Sequence, residues 1–158
     1  LRHDTVATLV LSAALRARRQ LSLGSAAATG VDPEHAALRP DAFLIDHEEK
    51  TVTPIEFSIP DDARLATVLA AKHAQYSSIL ADAVPRLASA SFRPLVVVVL
   101  GAWGTVHPST VSSLVRLGIP PDAVTAVLRK AVKILARHAT VIARCRFAAA
   151  RRGMPTSS

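Results

Sequence analysis

Residues 39–56 read RPDAFLIDHEEKTVTPIE, and in and just past them two aliphatic and β-branched runs, 42–45 and 52–57, flank the polar DHEEK of 46–50. Such runs on either side of a polar turn predict a β-hairpin. Pro40 fixes the backbone ahead of the first strand, and Pro54, with no N–H to give to a ladder, predicts fraying or a bulge near the start of the second. Asp41 then opens the first strand and Glu56 lies near the end of the second, with fourteen residues between them. Antiparallel pairing lays those two ends side by side. Two carboxylates brought together repel unless a cation lies between them, and oxygen ligands of this kind suit Mg²⁺ or Mn²⁺. Solvated strand-end acids are the plain alternative, and the next helix shifts the balance.

Asp61 and Asp62 are placed to cap a helix over 63–84, which Pro85 ends. Its apolar positions Leu65, Val68, Leu69, Ile79, Leu80 and Val84 share a face, on which Lys72 also falls, with Tyr76 one turn beyond. An unpaired ammonium on the buried side of a helix costs on the order of several kcal/mol, so a carboxylate on the adjoining sheet is its expected partner. A lysine that snorkels to the helix edge is the alternative.

Arg39-Pro40-Asp41, then fourteen residues, then Glu56, then Lys72 and Tyr76 four apart on the next helix, resemble the restriction-like endonuclease domain of site-specific non-LTR retrotransposons. That domain is a branch of the PD-(D/E)XK nuclease superfamily. Most of the superfamily carries its lysine two residues after the second acid, where this chain has Ser58; the retrotransposon branch moves it into the following helix, as at Lys72. Arg2-His3-Asp4 and the valine-rich run ending in Gly101-Ala102-Trp103-Gly104 are also similar to that branch, so the resemblance spans residues 2–105.

The resemblance implies an α/β fold with a restriction-endonuclease-like core, a mixed central sheet whose β-hairpin carries the acids, flanked by helices. It implies a Mg²⁺- or Mn²⁺-dependent DNA endonuclease in which Asp41, Glu56 and the backbone carbonyl of Phe57 hold the metal. Lys72 would position water or stabilise the transition state, Tyr76 would orient Lys72 or contact phosphate, and Arg39 would contact the nucleic acid. Nicking would leave a 3′-hydroxyl to prime a reverse transcriptase domain of the same polypeptide, in the nucleus. A homodimer acting on both strands stays open.

Before the hairpin, the sequence predicts a helix over 5–20 with Asp4 at its start and a stripe of Val6, Leu9, Val10, Ala13 and Ala14, a weak strand within 21–29, and a loop over 30–38. His35 and His47 adjoin acids but lack a partner at zinc-ligand spacing, and read as exposed loop histidines. After the Lys72 helix, the Ala- and Ser-rich segment 85–94 reads as irregular, and the apolar run 95–100 as a central or parallel strand buried on both faces. Ser109 is placed to cap a short helix to residue 117, closed by Gly118. Pro120-Pro121-Asp122 starts a last helix with a stripe of Val124, Val127, Leu128, Ala131, Ile134, Leu135, Val141, Ile142 and Cys145. Its other faces carry Arg129, Lys130, Lys133, Arg137, Arg144 and Arg146 with no acid after Asp122, which points to a phosphate-facing surface. Residues 1–152 read as one domain and 153–158 as a disordered tail.

Charge divides the chain: residues 1–84 hold 8 Lys and Arg against 11 Asp and Glu, while 85–158 hold 11 against 1. An acidic site half beside a basic flank suits a metal-dependent enzyme acting on a polyanion, DNA above all. One cysteine, Cys145, excludes an internal disulfide and any multi-cysteine zinc site. The longest apolar run, 95–103, is nine residues, short of the ~20 a spanning helix needs, so no membrane partner is expected. The chain opens with Leu1 and reads as part of a longer polypeptide. Two other classes remain: a catalytically inactive nuclease-like nucleic-acid-binding module, which Ser58 favours, and an interaction fragment that self-associates through the last helix.

Overall fold

The computed structural model describes residues 2–24, 40–83 and 91–151; Arg39, His35, the loop around it, Val84 and the tail lie outside the described residues, as do the side chains of Ile79 and Leu80. The architecture is α/β, with a mixed five-stranded sheet between helices. β1 (Leu21–Gly24), β2 (Ala42–Asp46) and β3 (Thr51–Ser58) run antiparallel in turn. β4 (Ser91–Phe92) and β5 (Val96–Val99) follow one another along the other flank of β3, both parallel to it.

The expected hairpin is β2–β3, with Ala42 opposite Ile55 and Asp46 opposite Thr51. Its turn is built by Asp46, whose Oδ1 accepts the N–H groups of Glu48 (3.1 Å) and Glu49 (3.0 Å) while Lys50 takes the left-handed conformation (φ 51°). Pro54 neither frays nor bulges the pair: it is buried in register opposite Phe43. The reason is directional. Phe57 N points to the β2 side, where Asp41 receives it; by alternation the nitrogen of Pro54 points the other way. There the ladder is already broken, since pairing stops at Val52 with Phe92 and resumes at Ile55 with Val96.

Two further expectations change. The segment 85–94 is not wholly irregular, because Ser91 and Phe92 pair with β3. β5 is parallel and buried, as its valines require, but it lies at the sheet's margin beyond β3 rather than at its centre. α3 (Pro108–Arg116) covers that margin. Thr110 Oγ1 donates to the Val99 carbonyl (2.6 Å), Ser113 Oγ to that of Val97 (2.7 Å) and Arg116 to that of Pro94 (3.2 Å). Three donors at i, i+3 and i+6 thus occupy the acceptors of an otherwise open edge.

α1 (Arg2–Ala17), α3 and α4 (Pro121–Arg151) cover one face of the sheet, where Val10, Ala14, Leu44, Ile55, Phe57, Val96, Val98, Leu114 and Val127 share a core. α2 (Leu65–Ala83), entered through a 3₁₀ turn (Asp62–Arg64) that Asp61 caps, covers the other with Leu65, Leu69 and Tyr76 against Leu95, Val97 and Val99. α1 begins three residues earlier than expected, so Asp4 lies in its first turn and His3 is helical. His107, not Ser109, caps α3, its Nδ1 accepting from Ser109 N (3.2 Å). The α4 stripe is buried only as far as Ala139; Val141, Ile142 and Cys145, expected inside, are exposed. No helix among the described residues is long and apolar enough to cross a membrane.

Candidate active site

Strand alternation sends Ile55 and Phe57 to the α1 face and Glu56 between them to the α2 face. Glu56 is only 5 % exposed. Its Oε1 accepts from Lys72 Nζ at 2.5 Å and its Oε2 from the Tyr76 hydroxyl at 3.0 Å. Lys72 and Tyr76, one turn apart on α2, therefore grip one carboxylate together, and the Lys72 ammonium lies 5.9 Å from the Tyr76 ring centre. Lys72 reaches Glu56 while remaining partly open to solvent, so it bridges the buried carboxylate and the surface. Burial, reinforced by the charges of Glu56 and Asp41 and by the bond to Glu56, pushes the Tyr76 hydroxyl well above the usual tyrosine range, which keeps it a donor at any neutral pH.

Asp41 precedes β2, whose register with β3 ends at Ala42 opposite Ile55. β2 ends there, leaving the Phe57 N–H without a strand partner, and Asp41 Oδ2 accepts it at 2.7 Å. The Phe57 carbonyl is met instead by His3 Nε2 at 3.1 Å, and the same nitrogen lies 3.3 Å from Asp41 Oδ2. His3 Nδ1 faces Asp4 Oδ1 at 3.2 Å, so both ring nitrogens meet oxygen acceptors, an arrangement the imidazolium satisfies best. Partial burial lowers the His3 pKa, but the Asp4 and Phe57 bonds and the charges of Asp41 and Asp4 outweigh it and hold the ring above its usual 6.5.

The strand ends therefore carry two sets of contacts: Glu56 with Lys72 and Tyr76, and Asp41 with the Phe57 N–H and with His3, which also meets the Phe57 carbonyl. The sequence noted His3 only within a resembling tripeptide; the early start of α1 is what turns it onto the strand ends. Arg39 lies outside the described residues. Arg129, Lys130, Lys133 and Arg137 are exposed, and at 3.6 residues per turn they share about 100° of the α4 circumference. That ridge is opposite the stripe of Val124, Ala131 and Leu135, hence on the outer side of the α1 face, whereas Glu56, Lys72 and Tyr76 lie on the α2 face.

As a cation site the donor set is partial. Asp41 Oδ2 and the Phe57 carbonyl converge on one point, now taken by His3 Nε2, and oxygen donors suit Mg²⁺. Both Glu56 oxygens are held by Lys72 and Tyr76. Among the described residues no group of three His, Cys, Asp or Glu side chains is placed to hold a metal. The chain matches no family model, no curated protein and no solved structure.

Proposed function

We propose that the chain is a Mg²⁺- or Mn²⁺-dependent DNA endonuclease with a restriction-endonuclease-like core, related to the nuclease domains of site-specific non-LTR retrotransposons. The observation that carries this reading is the pairing of Lys72 and Tyr76 on buried Glu56, with a second, more open carboxylate, Asp41, at the strand ends. A lysine drawn to a carboxylate beside a strand-end acid is what phosphodiester hydrolysis needs: negative oxygens to hold a cation and a positive donor for the phosphate.

Asp41, the Phe57 carbonyl and Glu56 would hold Mg²⁺, which when bound neutralises charge on the scissile phosphate and makes a bound water more acidic. The protein's own groups do the rest. Tyr76, buried and kept protonated, fixes the Glu56 carboxylate. Lys72, held on Glu56 in this structure, would be the cationic donor for a phosphate oxygen or the attacking water. Asp41, already anchored by the Phe57 N–H, is preorganised. In this reading DNA is the partner, nicking supplies a primer for a reverse transcriptase domain of the same polypeptide in the nucleus, and the α4 ridge binds phosphate away from the cut.

A second reading, a nuclease-like module that binds nucleic acid without cutting it, is favoured by one observation: both Glu56 oxygens are already occupied by protein donors. Nicking of supercoiled plasmid by the purified chain separates the two. The nuclease reading expects relaxation with Mg²⁺ or Mn²⁺, none in EDTA, and a loss of at least about 100-fold in Asp41→Asn, which keeps an acceptor for the Phe57 N–H while removing the charge. Metal-independent nicking, or full activity in Asp41→Asn, refutes it; a gel shift without nicking supports the binding module.

A further inference from the structure

Trp103 and Phe147 are the most exposed large apolar side chains among the described residues, at 66 % and 73 %. Both line one groove of ≈ 590 Å³, together with Ala139, Ile142, Arg2 and Arg146. Past Ala139, where α4 runs beyond the core, positions 139, 142, 143, 146 and 147 keep the i, i+3, i+4, i+7, i+8 spacing of a covered face. Two alanines make it flat, and Phe147 and the cationic Arg146 stand at its end.

Trp103 is not on a loose loop. Asp62 Oδ1 accepts the Trp103 N–H (2.9 Å), and Asp62 Oδ2 accepts the N–H (3.3 Å) and hydroxyl of Thr105. Gly101 N donates to Thr105 O (2.7 Å) and Ala102 N to Pro60 O (2.8 Å). Any Cβ at Gly101 would overlap the Asp62 carboxylate, and Gly104 takes φ 100°, so glycine is required at both ends of the turn. A large ring is thus held out into solvent by a braced backbone, which points to a partner for its face.

The groove adjoins the strand-end cluster. Arg2 is the neighbour of His3 on α1, and Asp61, at the groove's margin, follows β3 by three residues. Aromatic faces flanked by arginines are what an unstacked base on a phosphate chain requires, and the arginines would have no role against an aliphatic partner. We propose that this groove binds an unstacked nucleobase of single-stranded DNA, its ring on Trp103 and Phe147 and its flanking phosphates on Arg2 and Arg146. The inference rests on the nuclease reading for the source of the strand, the DNA beside the nick, and on the groove's chemistry for the rest.

Trp103 is the only tryptophan in the chain, so its emission reports on the groove directly. The test is a fluorescence titration of the chain in EDTA with a short oligothymidylate and with an abasic oligomer of the same length. Saturable quenching by the oligothymidylate, with affinity weakened roughly 5- to 100-fold in Phe147→Ala, is expected from the worth of one stacked base. Trp103→Ala, followed by anisotropy of a labelled oligothymidylate, should weaken binding similarly; both side chains are exposed, so both variants fold. Equal affinity for the abasic oligomer, or no change in either variant, overturns the proposal. So does a concentration-dependent blue shift without DNA accompanied by dimerisation, which would assign the groove to a second copy. Because no metal is present, quenching without plasmid nicking would leave the groove standing and sink the nuclease reading; nicking without quenching would do the reverse.

Discussion

Lys72→Met is the perturbation that tests the candidate site most sharply, because it removes charge and keeps most of the side chain's length. In the wild-type chain the Glu56 carboxylate is buried with two donors, Lys72 at 2.5 Å and the Tyr76 hydroxyl at 3.0 Å. Removing one member of a buried ion pair costs about 3–5 kcal/mol, because the other charge stays buried without compensation. Lys72 is 27 % exposed, so water already screens its side of the pair and the expected cost falls to about 2–3 kcal/mol. For a chain of this size that lowers the melting temperature by on the order of 5–10 °C. Glu56→Gln in the Lys72→Met background removes the stranded charge and keeps an acceptor for Tyr76, so it should recover most of the loss. The assay is urea unfolding of wild type, both single variants and the double variant at neutral pH, which yields the coupling energy directly. A Lys72→Met midpoint equal to wild type, or a double variant no more stable than Lys72→Met, would refute the buried pair. The same series tests the cation reading: with Lys72 gone, MgCl₂ should raise the Lys72→Met midpoint more than the wild-type one, since binding to the native state alone is stabilising.

Asp62 predicts a pH dependence. Its partial burial raises its pKa, but the Thr105 hydroxyl and the N–H groups of Trp103 and Thr105 outweigh this and hold it below the usual 3.8. A lowered native pKa gives stability that is present above the unfolded value and lost as pH falls through the native one. The denaturation midpoint of wild type should therefore exceed that of Asp62→Asn by a constant margin above about pH 5, narrowing below about pH 4; a margin that persists into strong acid contradicts the bonding seen here. Thr110→Val and Ser113→Ala each leave a buried β5 carbonyl without its donor. Each should cost about 1–3 kcal/mol in urea unfolding, and unchanged midpoints would mean that water takes the hydroxyl's place.

The hairpin, the packing of Leu65 and Leu69 on α2 and the apolar β5 were legible because each rests on a local pattern: turn residues between β-branched runs, periodicity, an unbroken apolar run. Even the Lys72 partner followed from the cost of burying an ammonium. What was not legible depends on tertiary placement. Pro54 reads as a breaker, and only the gap between β4 and β5 shows why a central strand tolerates it. Thr110, Ser113 and Arg116 read as ordinary helix polar residues until the β5 carbonyls are seen beneath them. The α4 stripe continues in sequence past the point where the core ends, so Val141, Ile142 and Cys145 look buried by period and are exposed by position. His3 was hidden by a three-residue error in where α1 begins.

The contacts of Phe57 at the strand ends have a structural account when taken singly. β2 stops at Ala42, so Phe57 is left with an unpaired N–H and carbonyl, and Asp41 and His3 satisfy them. That account does not extend to position 56. A side chain facing Val97, Val99 and Leu69 could be aliphatic, and replacing a buried ion pair with apolar residues of similar volume is often neutral or stabilising. Stability alone therefore gives no reason for a glutamate there, nor for a lysine and a buried tyrosine converging on it from α2. The charges are better explained by work at the surface they border. Lys72 and Asp41 both reach solvent near the same pair of strand ends. On the α1 side, His3 and Arg2 carry that border on to a groove of aromatic rings and arginines. Under the proposed function, acidic oxygens, a partly exposed ammonium and exposed aromatic rings within one stretch of the molecule form a combination that a nucleic-acid strand would use and that a purely structural role would not require.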